Sequence, residues 1–430
     1  MKLFSVLFFF LSIFLMSCNS PSEVPIDTTI EKVLGPNILL VIADDMGKDA
    51  TPNFSEGSIK PNMPTLQSLI NTGVTFDNLW SYAVCTPTRA SILTGKYGVN
   101  TNVLEVGNDI STSETSLQSY INLNTNNAYA TAIIGKWHLS NNAADPIIMG
   151  IDYYAGILNG GVPNYSNWTF NENGISSNST TYTTTKFTDL AIDWVDNQTK
   201  PWFLWMAFNA PHTPFHLAPA DLHSQGNLST DTATINANPI PYYMSAIEAM
   251  DSEIGRFLDN LSTEERANTV IIFIGDNGTP SQVAQSPYSR RNVKGTLYQG
   301  GVNVPMIVSG YGVNRVGERE DALIHTTDLY TTIANMAGVS TSEINNSKSF
   351  YQQLTFTDSE EREFVYTEKE DGYAIRNARY KLMKFDNGEE ELFHLITDPY
   401  ENTNLIGTIL STEASNEKAS LISEATTIRN

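Results

Sequence analysis

Five runs of consecutive apolar, mostly β-branched residues, each ending abruptly in small or polar ones, constrain this fold more than any other feature of the sequence. Asn37 to Ala43 runs into Asp44-Asp45, and Tyr129 to Ile134 into Gly135-Lys136-Trp137-His138. Trp202 to Phe208 leads to Asn209-Ala210-Pro211-His212, Thr269 to Ile274 to Gly275-Asp276-Asn277-Gly278, and Val304 to Val308 to Ser309-Gly310. A strand with water on one face alternates apolar and polar residues. Unbroken apolar runs of this length instead require burial on both faces, which implies a mostly parallel or mixed sheet sandwiched by helices. Helical periodicity between the runs, in Met63 to Thr72, Thr188 to Asn197, Tyr242 to Leu261 and Thr326 to Ala337, supplies those layers. The fold class is therefore α/β. Ligands of such folds sit beyond the carboxyl ends of the strands, where the polar residues just named are expected.

From about residue 341 the character changes. Charge rises, and short alternating segments at Phe364 to Glu368, Tyr373 to Arg376 and Tyr380 to Phe385 read as a small antiparallel sheet in a C-terminal α+β lobe. The expected organisation is a catalytic domain over 36–340 and a C-terminal subdomain over 341–430. Asn164 to Thr185, rich in Asn, Ser and Thr, reads as a surface loop or insertion. Tyr153, Tyr154, Tyr165 and Trp168 cluster in and before it; they suit stacking on sugar faces and covering a sheet edge equally well. At the N-terminus, Lys2 precedes an apolar stretch from Leu3 to Met16 that is too short to span a bilayer comfortably. Leu15-Met16-Ser17-Cys18 resembles a bacterial lipobox. Residues 1–18 are thus expected to be a lipoprotein signal and 19–35 a flexible tether, giving an exported protein anchored through lipidated Cys18 in a bacterial membrane, on the periplasmic or cell-surface face of the outer membrane. With 47 acidic against 25 basic residues and a net charge of −22, the chain is a poor partner for nucleic acid. The acidity also suits solubility in a salty medium.

The two cysteines, Cys18 and Cys85, each lie in a modification-like context, so no disulfide is expected. Asp44, Asp45, Asp276 and Asn277 are hard oxygen donors at the ends of two apolar runs and suit Ca²⁺ or Mg²⁺. Either pair alone would equally suit a helix N-cap or a turn. Lys136 and His138 are two apart, so an extended segment would turn both toward one face.

Several motifs occur in one order: Pro36-Asn37-Ile38 to Asp44-Asp45; Cys85 to Gly95 (CTPTRASILTG); Gly135 to Leu139 (GKWHL); Pro211-His212-Thr213-Pro214; Gly275 to Gly278; Lys294 through Gly300-Gly301 to Val304-Pro305; and Leu392 to Leu405 (LFHLITDPYENTNL). The chain in this respect resembles the sulfatase family of the alkaline phosphatase superfamily. The resemblance implies that a maturation enzyme reads Cys85-Thr86-Pro87-Thr88-Arg89 and oxidises Cys85 to formylglycine. Its hydrate offers one hydroxyl to attack sulfur and another to expel sulfate. It also implies one Ca²⁺ held by Asp44, Asp45, Asp276, Asn277 and the residue at Cys85, with Arg89 orienting the nucleophile. Lys136 would bind sulfate, His138 would assist deprotonation of the second hydroxyl, and His212 and Lys294 would serve the leaving oxygen. His216, His223, His325 and His394 are read as structural, with His216 close enough in sequence to His212 to line the pocket. Thr88 stands where many members have Ser, Ser140 where Gly is usual, and Gln299 and Asn303 where Glu and Arg are usual. The implied activity is removal of sulfate from a sulfated saccharide. The alternatives are phosphate or phosphonate ester hydrolysis on the same scaffold, and an inactive lipoprotein that binds sulfated glycans.

Overall fold

The computed structural model describes residues 35–357 and 359–430, so the expected signal over 1–18 and all but the last residue of the expected tether over 19–35 lie outside the described residues. An 11-stranded sheet forms the centre. Its strands in chain order are β1 (Asn37–Ala43), β2 (Gly73–Trp80), β3 (Ala130–Lys136), β4 (Tyr153–Ile157), β5 (Trp168–Glu172), β6 (Ile175–Ser179), β7 (Trp202–Ala207), β8 (Thr269–Gly275), β9 (Asn303–Gly310), β10 (Glu318–Glu320) and β11 (Ile324–His325). They lie side by side as β10-β2-β9-β8-β1-β7-β3-β4-β5-β6, with β11 pairing β2.

The central strands β8, β1, β7, β3 and β4 are parallel. Alternate side chains of β1 serve two cores. Leu39, Val41 and Ala43 pack with the helices Pro64–Thr72, Thr183–Asp196 and Ile240–Asn260; Ile38, Leu40 and Ile42 pack with Cys85–Thr94, Leu117–Thr125 and Asp328–Met336. Both faces are dry, which is why these runs carry no polar alternation. Truncating one such Leu or Ile to Ala would cost about 2–5 kcal/mol.

Three expectations need correction. β9 is antiparallel to both β8 and β2, so Ser309-Gly310 leaves the sheet at the edge opposite Asp44 and Asp276. Residues 164–185 are not a loop: β5 and β6 form a hairpin that extends the main sheet, and the helix Thr183–Asp196 follows. β6 escapes pattern reading because its residues are mostly exposed, and a polar ribbon strand has no apolar face to announce it. The segment after His138 is also not a simple extension of β3, as described below.

The C-terminal region forms a four-stranded antiparallel sheet of Val365–Lys369, Gly372–Arg376, Tyr380–Phe385 and Glu390–His394, backed by the helix Thr412–Arg429. One face of it shares a core with Trp80, Ala83, Leu297 and Val302 of the large sheet's flank.

Candidate active site

Because β1 and β8 run parallel with Ala43 opposite Gly275, the residues just beyond them fall side by side. The Asp45 backbone N–H donates to Asp276 Oδ1 at 3.0 Å, and Asn277 Nδ2 donates to Asp45 Oδ1 at 2.8 Å. Asp45 achieves this in the left-handed region, at φ 71°, where a non-glycine residue is uncommon. Asp44, Asp45, Asp276 and Asn277 are all buried.

Cys85 opens a ten-residue helix that is buried throughout and closed by Gly95 at φ 65°. Its position at the helix N-terminus favours negative charge there. Arg89, one turn on, donates from Nη2 to Asp276 Oδ2 at 2.7 Å and from Nη1 to the Lys136 carbonyl at 3.0 Å. Thr88 Oγ1 accepts from the Tyr82 N–H at 3.0 Å and lies 3.2 Å from the Val84 carbonyl, so its hydroxyl braces the turn that presents Cys85.

Lys136 ends β3 and donates to Asp44 Oδ2 at 2.6 Å. Lys294 Nζ lies 2.5 Å from Asp45 Oδ1, and His212 Nε2 lies 3.7 Å from Asp45 Oδ2. The close approach of β3 to β7 requires glycine at Gly135: a Cβ there would sit 1.9 Å from the Ala207 carbonyl oxygen, at φ 120°.

The electrostatics follow from burial among these pairs. Burial favours the neutral acid at Asp44, yet Lys136, His212, Arg89 and Lys294 together hold its carboxyl well below the usual range. Burial and the Asp44 charge push Asp276 up. Burial is the largest single influence on Lys136 and Lys294 and lowers both, but Asp44, Cys85 and Asp276 together at Lys136, and Asp45, Asp44 and Cys85 together at Lys294, outweigh it and hold them above the ordinary lysine value. Burial, then Lys136 and Arg89, depress His138 to about 2, so its imidazole is neutral at any physiological pH. Burial pushes the Cys85 thiol up to about 11.

Asp44 Oδ1 and Asn277 Oδ1 are buried oxygens with no hydrogen-bond donor, inside a group where Asp44, Cys85 and Asp276 offer atoms within 4.8 Å of one another. The oxygens of Asp44, Asp45, Asp276 and Asn277, two of them with unclaimed lone pairs, fit a hard divalent cation.

The sulfatase family profile matches residues 36–339, and that of the N-sulphoglucosamine sulphohydrolase C-terminal region matches 292–426. The chain belongs to the sulfatase family. The uncharacterized sulfatase YdeN of Escherichia coli (strain K12) is 29% identical over 370 residues, covering 71% of this chain and 63% of that protein. Arylsulfatase G of Mus musculus is 25% identical over 367 residues, covering 71% and 66%. This sulfatase chain thus spans just under two thirds of the length of these relatives. The structure of BT4656 in complex with its substrate D-glucosamine-2-N,6-O-disulfate superposes with a TM-score of 0.76 at 21% identity, covering 92% of this chain and 98% of the other.

Every residue singled out in the sequence for the sulfatase site lies in this one cluster, but His138 arrives by another route than expected. It sits at φ 54°, so the segment turns after Lys136 instead of extending, and the turn delivers His138 Nδ1 to 3.2 Å from Cys85 Sγ. The aromatic cluster resolves as packing. Tyr154 and Trp168 are fully buried, and the Tyr165 hydroxyl lies 2.7 and 2.6 Å from the Asn209 and His212 carbonyls. His216 stacks on Tyr165 at 3.8 Å and pairs with the Tyr182 hydroxyl at 2.9 Å, so it belongs to that support.

Sequence reasoning placed Asn209 at a strand end without a role of its own, and missed the glycines after β4. Both ends of the buried Asn209 amide lack partners, next to Ala210, whose carbonyl accepts the Asp44 N–H at 3.0 Å. Gly160 and Gly161 lie against His138 and His212: a Cβ at Gly160 would come 2.6 Å from His138 Nε2, and one at Gly161 3.2 Å from His212 Nδ1. A glycine pair following a strand is the only signal they leave in the sequence.

Proposed function

We propose that this chain removes sulfate from a sulfated carbohydrate, using a hydrated formylglycine made from Cys85 and one Ca²⁺ held by Asp44, Asp45, Asp276 and Asn277. The observation that carries this reading is the setting of Cys85: a buried helix N-terminus, ringed by cations and oxygen donors, with its thiol pushed up to about 11. A thiol that stays protonated at neutral pH is a poor nucleophile. Oxidised to an aldehyde and hydrated, the same position presents hydroxyls where negative charge is favoured.

The ion, when bound, supplies positive charge opposite sulfate oxygens. The chain's own groups do the rest. Lys136 and Lys294, both held charged, bind and orient the sulfo group. His212 and Lys294, on the accessible side of Asp45, stand by the leaving oxygen to supply a proton. His138, neutral and 3.2 Å from Cys85 Sγ, accepts a proton from a hydroxyl at that position. A carbohydrate substrate is supported by the disulfated glucosamine bound to the similarly folded BT4656. Export, lipid anchoring through Cys18 and recognition of Cys85 by a maturation enzyme belong to the same reading and rest on the sequence motifs alone.

Mass spectrometry of the peptide containing Cys85, combined with sulfate release from a sulfated monosaccharide, tests the proposal. Loss of the sulfur together with turnover supports it. Preferential hydrolysis of phosphate esters, or an intact cysteine with saccharide binding and no turnover, would replace it with one of the alternatives.

A further inference from the structure

Gln299 and Asn303 lie together on the floor of a cleft of about 730 Å³ that includes none of the residues assigned to the Cys85 site. That volume falls within the roughly 300–1,000 Å³ typical of small-ligand sites. Lys48 and Arg376, exposed by only 4% and 6%, share this floor.

Among the described residues neither cation hydrogen-bonds to a carboxylate. Lys48 Nζ donates to the Asp77 backbone carbonyl, and Arg376 donates to the Asn377 and Ala378 carbonyls and to Asn78 Oδ1. All of those acceptors are neutral. Of the carboxylates nearby, Glu56 is half-buried in the cleft wall within electrostatic reach of Lys48, and Glu401 is committed to Lys381. Asp77 pairs with Arg319, and Asp321 and Glu361 stand exposed on the rim, where water screens them. Burial drags Lys48 down to about 8 and Arg376 to about 10, against a weaker opposing pull from Glu56 and Asp77 on the first and from Glu401 on the second. Buried cations are normally paired.

Asn303 adds an independent observation. It is 9% exposed, and its buried Oδ1 has no hydrogen-bond partner. A bare oxyanion would leave that acceptor unsatisfied, whereas a ligand hydroxyl would donate to it. Leu323 and Leu395 complete the floor with apolar surface.

We propose that this cleft is a second ligand site that binds an oxyanion-bearing sugar, its sulfo or carboxylate group between Lys48 and Arg376 and a hydroxyl on Asn303. The site does not depend on the hydrolytic reading, because none of its residues serves Cys85.

Calorimetric titration of Cys85→Ala protein, at fixed ionic strength, with glucosamine 6-sulfate, glucosamine and inorganic sulfate tests the proposal. Two saccharide sites are expected. Arg376→Gln and Asn303→Asp should each weaken one of them at least tenfold and spare the other, while Lys136→Met should do the reverse. Asn303→Asp places a carboxylate beside the cations and should not unfold the chain. Hydrolysis of nitrophenyl sulfate by otherwise unmodified enzyme should change less than twofold in either cleft variant. Stronger binding of the sugar sulfate than of inorganic sulfate or glucosamine supports the anionic-sugar assignment. A single site abolished by Lys136→Met and indifferent to Arg376→Gln and Asn303→Asp would overturn it, and equal binding of bare sulfate would reject the sugar as its ligand.

Discussion

Cys85 Sγ and His138 Nδ1 stand 3.2 Å apart because His138 leaves β3 through a left-handed turn, and Gly160 packs against the far side of the same imidazole. The ring is thus held between the nucleophile position and a backbone with no room for a methyl group. Gly160→Ala places a carbon 2.6 Å from His138 Nε2, so the ring must shift. A displacement of about 1 Å at a reacting group can cost on the order of 10²-fold in rate. Gly160→Ala should therefore lower kcat by one to two orders of magnitude while the thermal midpoint moves by less than about 2 °C, since the position is on a surface loop. A large fall in melting temperature with the same kcat loss would show that the glycine serves folding instead.

Cys85→Ala should fold with unchanged stability within error and lose sulfate ester hydrolysis, because the nucleophile is removed while the two cores stay intact. In protein made without maturation, alkylation of Cys85 by iodoacetamide should rise about tenfold per pH unit between pH 8 and 10, since a thiol pushed up to about 11 gains thiolate in that proportion. A plateau below pH 9 would mean that the thiol is far more acidic than its burial implies.

Chelation should abolish activity, and Ca²⁺ should restore it better than Zn²⁺, because the donors are oxygens. Asp276→Asn should weaken Ca²⁺ binding measured by calorimetry. Asp276→Ala should in addition destabilise the chain by about 3–5 kcal/mol, because Arg89 loses its buried partner at 2.7 Å. Full activity after exhaustive chelation would remove the metal assignment.

The motif around Glu401, which the sequence offers without a role, acts as a clamp. Glu401 and Lys381 form an ion pair with side chains 1% and 0% exposed. Glu401 also accepts the Gln299 N–H, and Lys381 donates to the Leu297 carbonyl at 2.6 Å. The C-terminal sheet thereby grips the segment that carries Lys294. Glu401→Leu or Lys381→Met alone should cost about 3–5 kcal/mol in urea denaturation, and the double variant should recover part of that loss. Additive losses would show that the two side chains do not act as a pair.

What was legible in the sequence was whatever burial on two faces or charged chemistry imposes. β1, β7 and β8 were readable to within a residue because a doubly buried strand tolerates no polar interruption. β2 was not, since it carries Asp77 and Asn78 through an irregularity between Phe76 and Leu79 near the sheet edge. The direction of β9 was hidden because an apolar run has the same composition read either way. Asp44, Lys136 and His212 announced themselves by chemistry at strand ends. Gly160 and Asn209 did not, because their roles lie in clearance and in an unpaired amide, which only the assembled site reveals.

His212 and Lys294 converge on Asp45 from the accessible side, with side chains 20% and 21% exposed, whereas Lys136 and Arg89 are sealed beneath it. A leaving group departs toward solvent, so these two are the groups that can reach its oxygen. A sugar alkoxide must be protonated as it leaves, while a nitrophenolate departs almost unaided, so the benefit of a proton donor grows with the leaving-group pKa. His212→Ala and Lys294→Ala should therefore lower kcat/KM by on the order of 10²–10⁴-fold on a sugar sulfate and by markedly less on nitrophenyl sulfate. His138→Ala, which touches the nucleophile position and not the leaving oxygen, should slow both substrates alike. Equal losses on both substrates for His212→Ala and Lys294→Ala would leave the pair as sulfate binders and reject their part in protonating the departing oxygen.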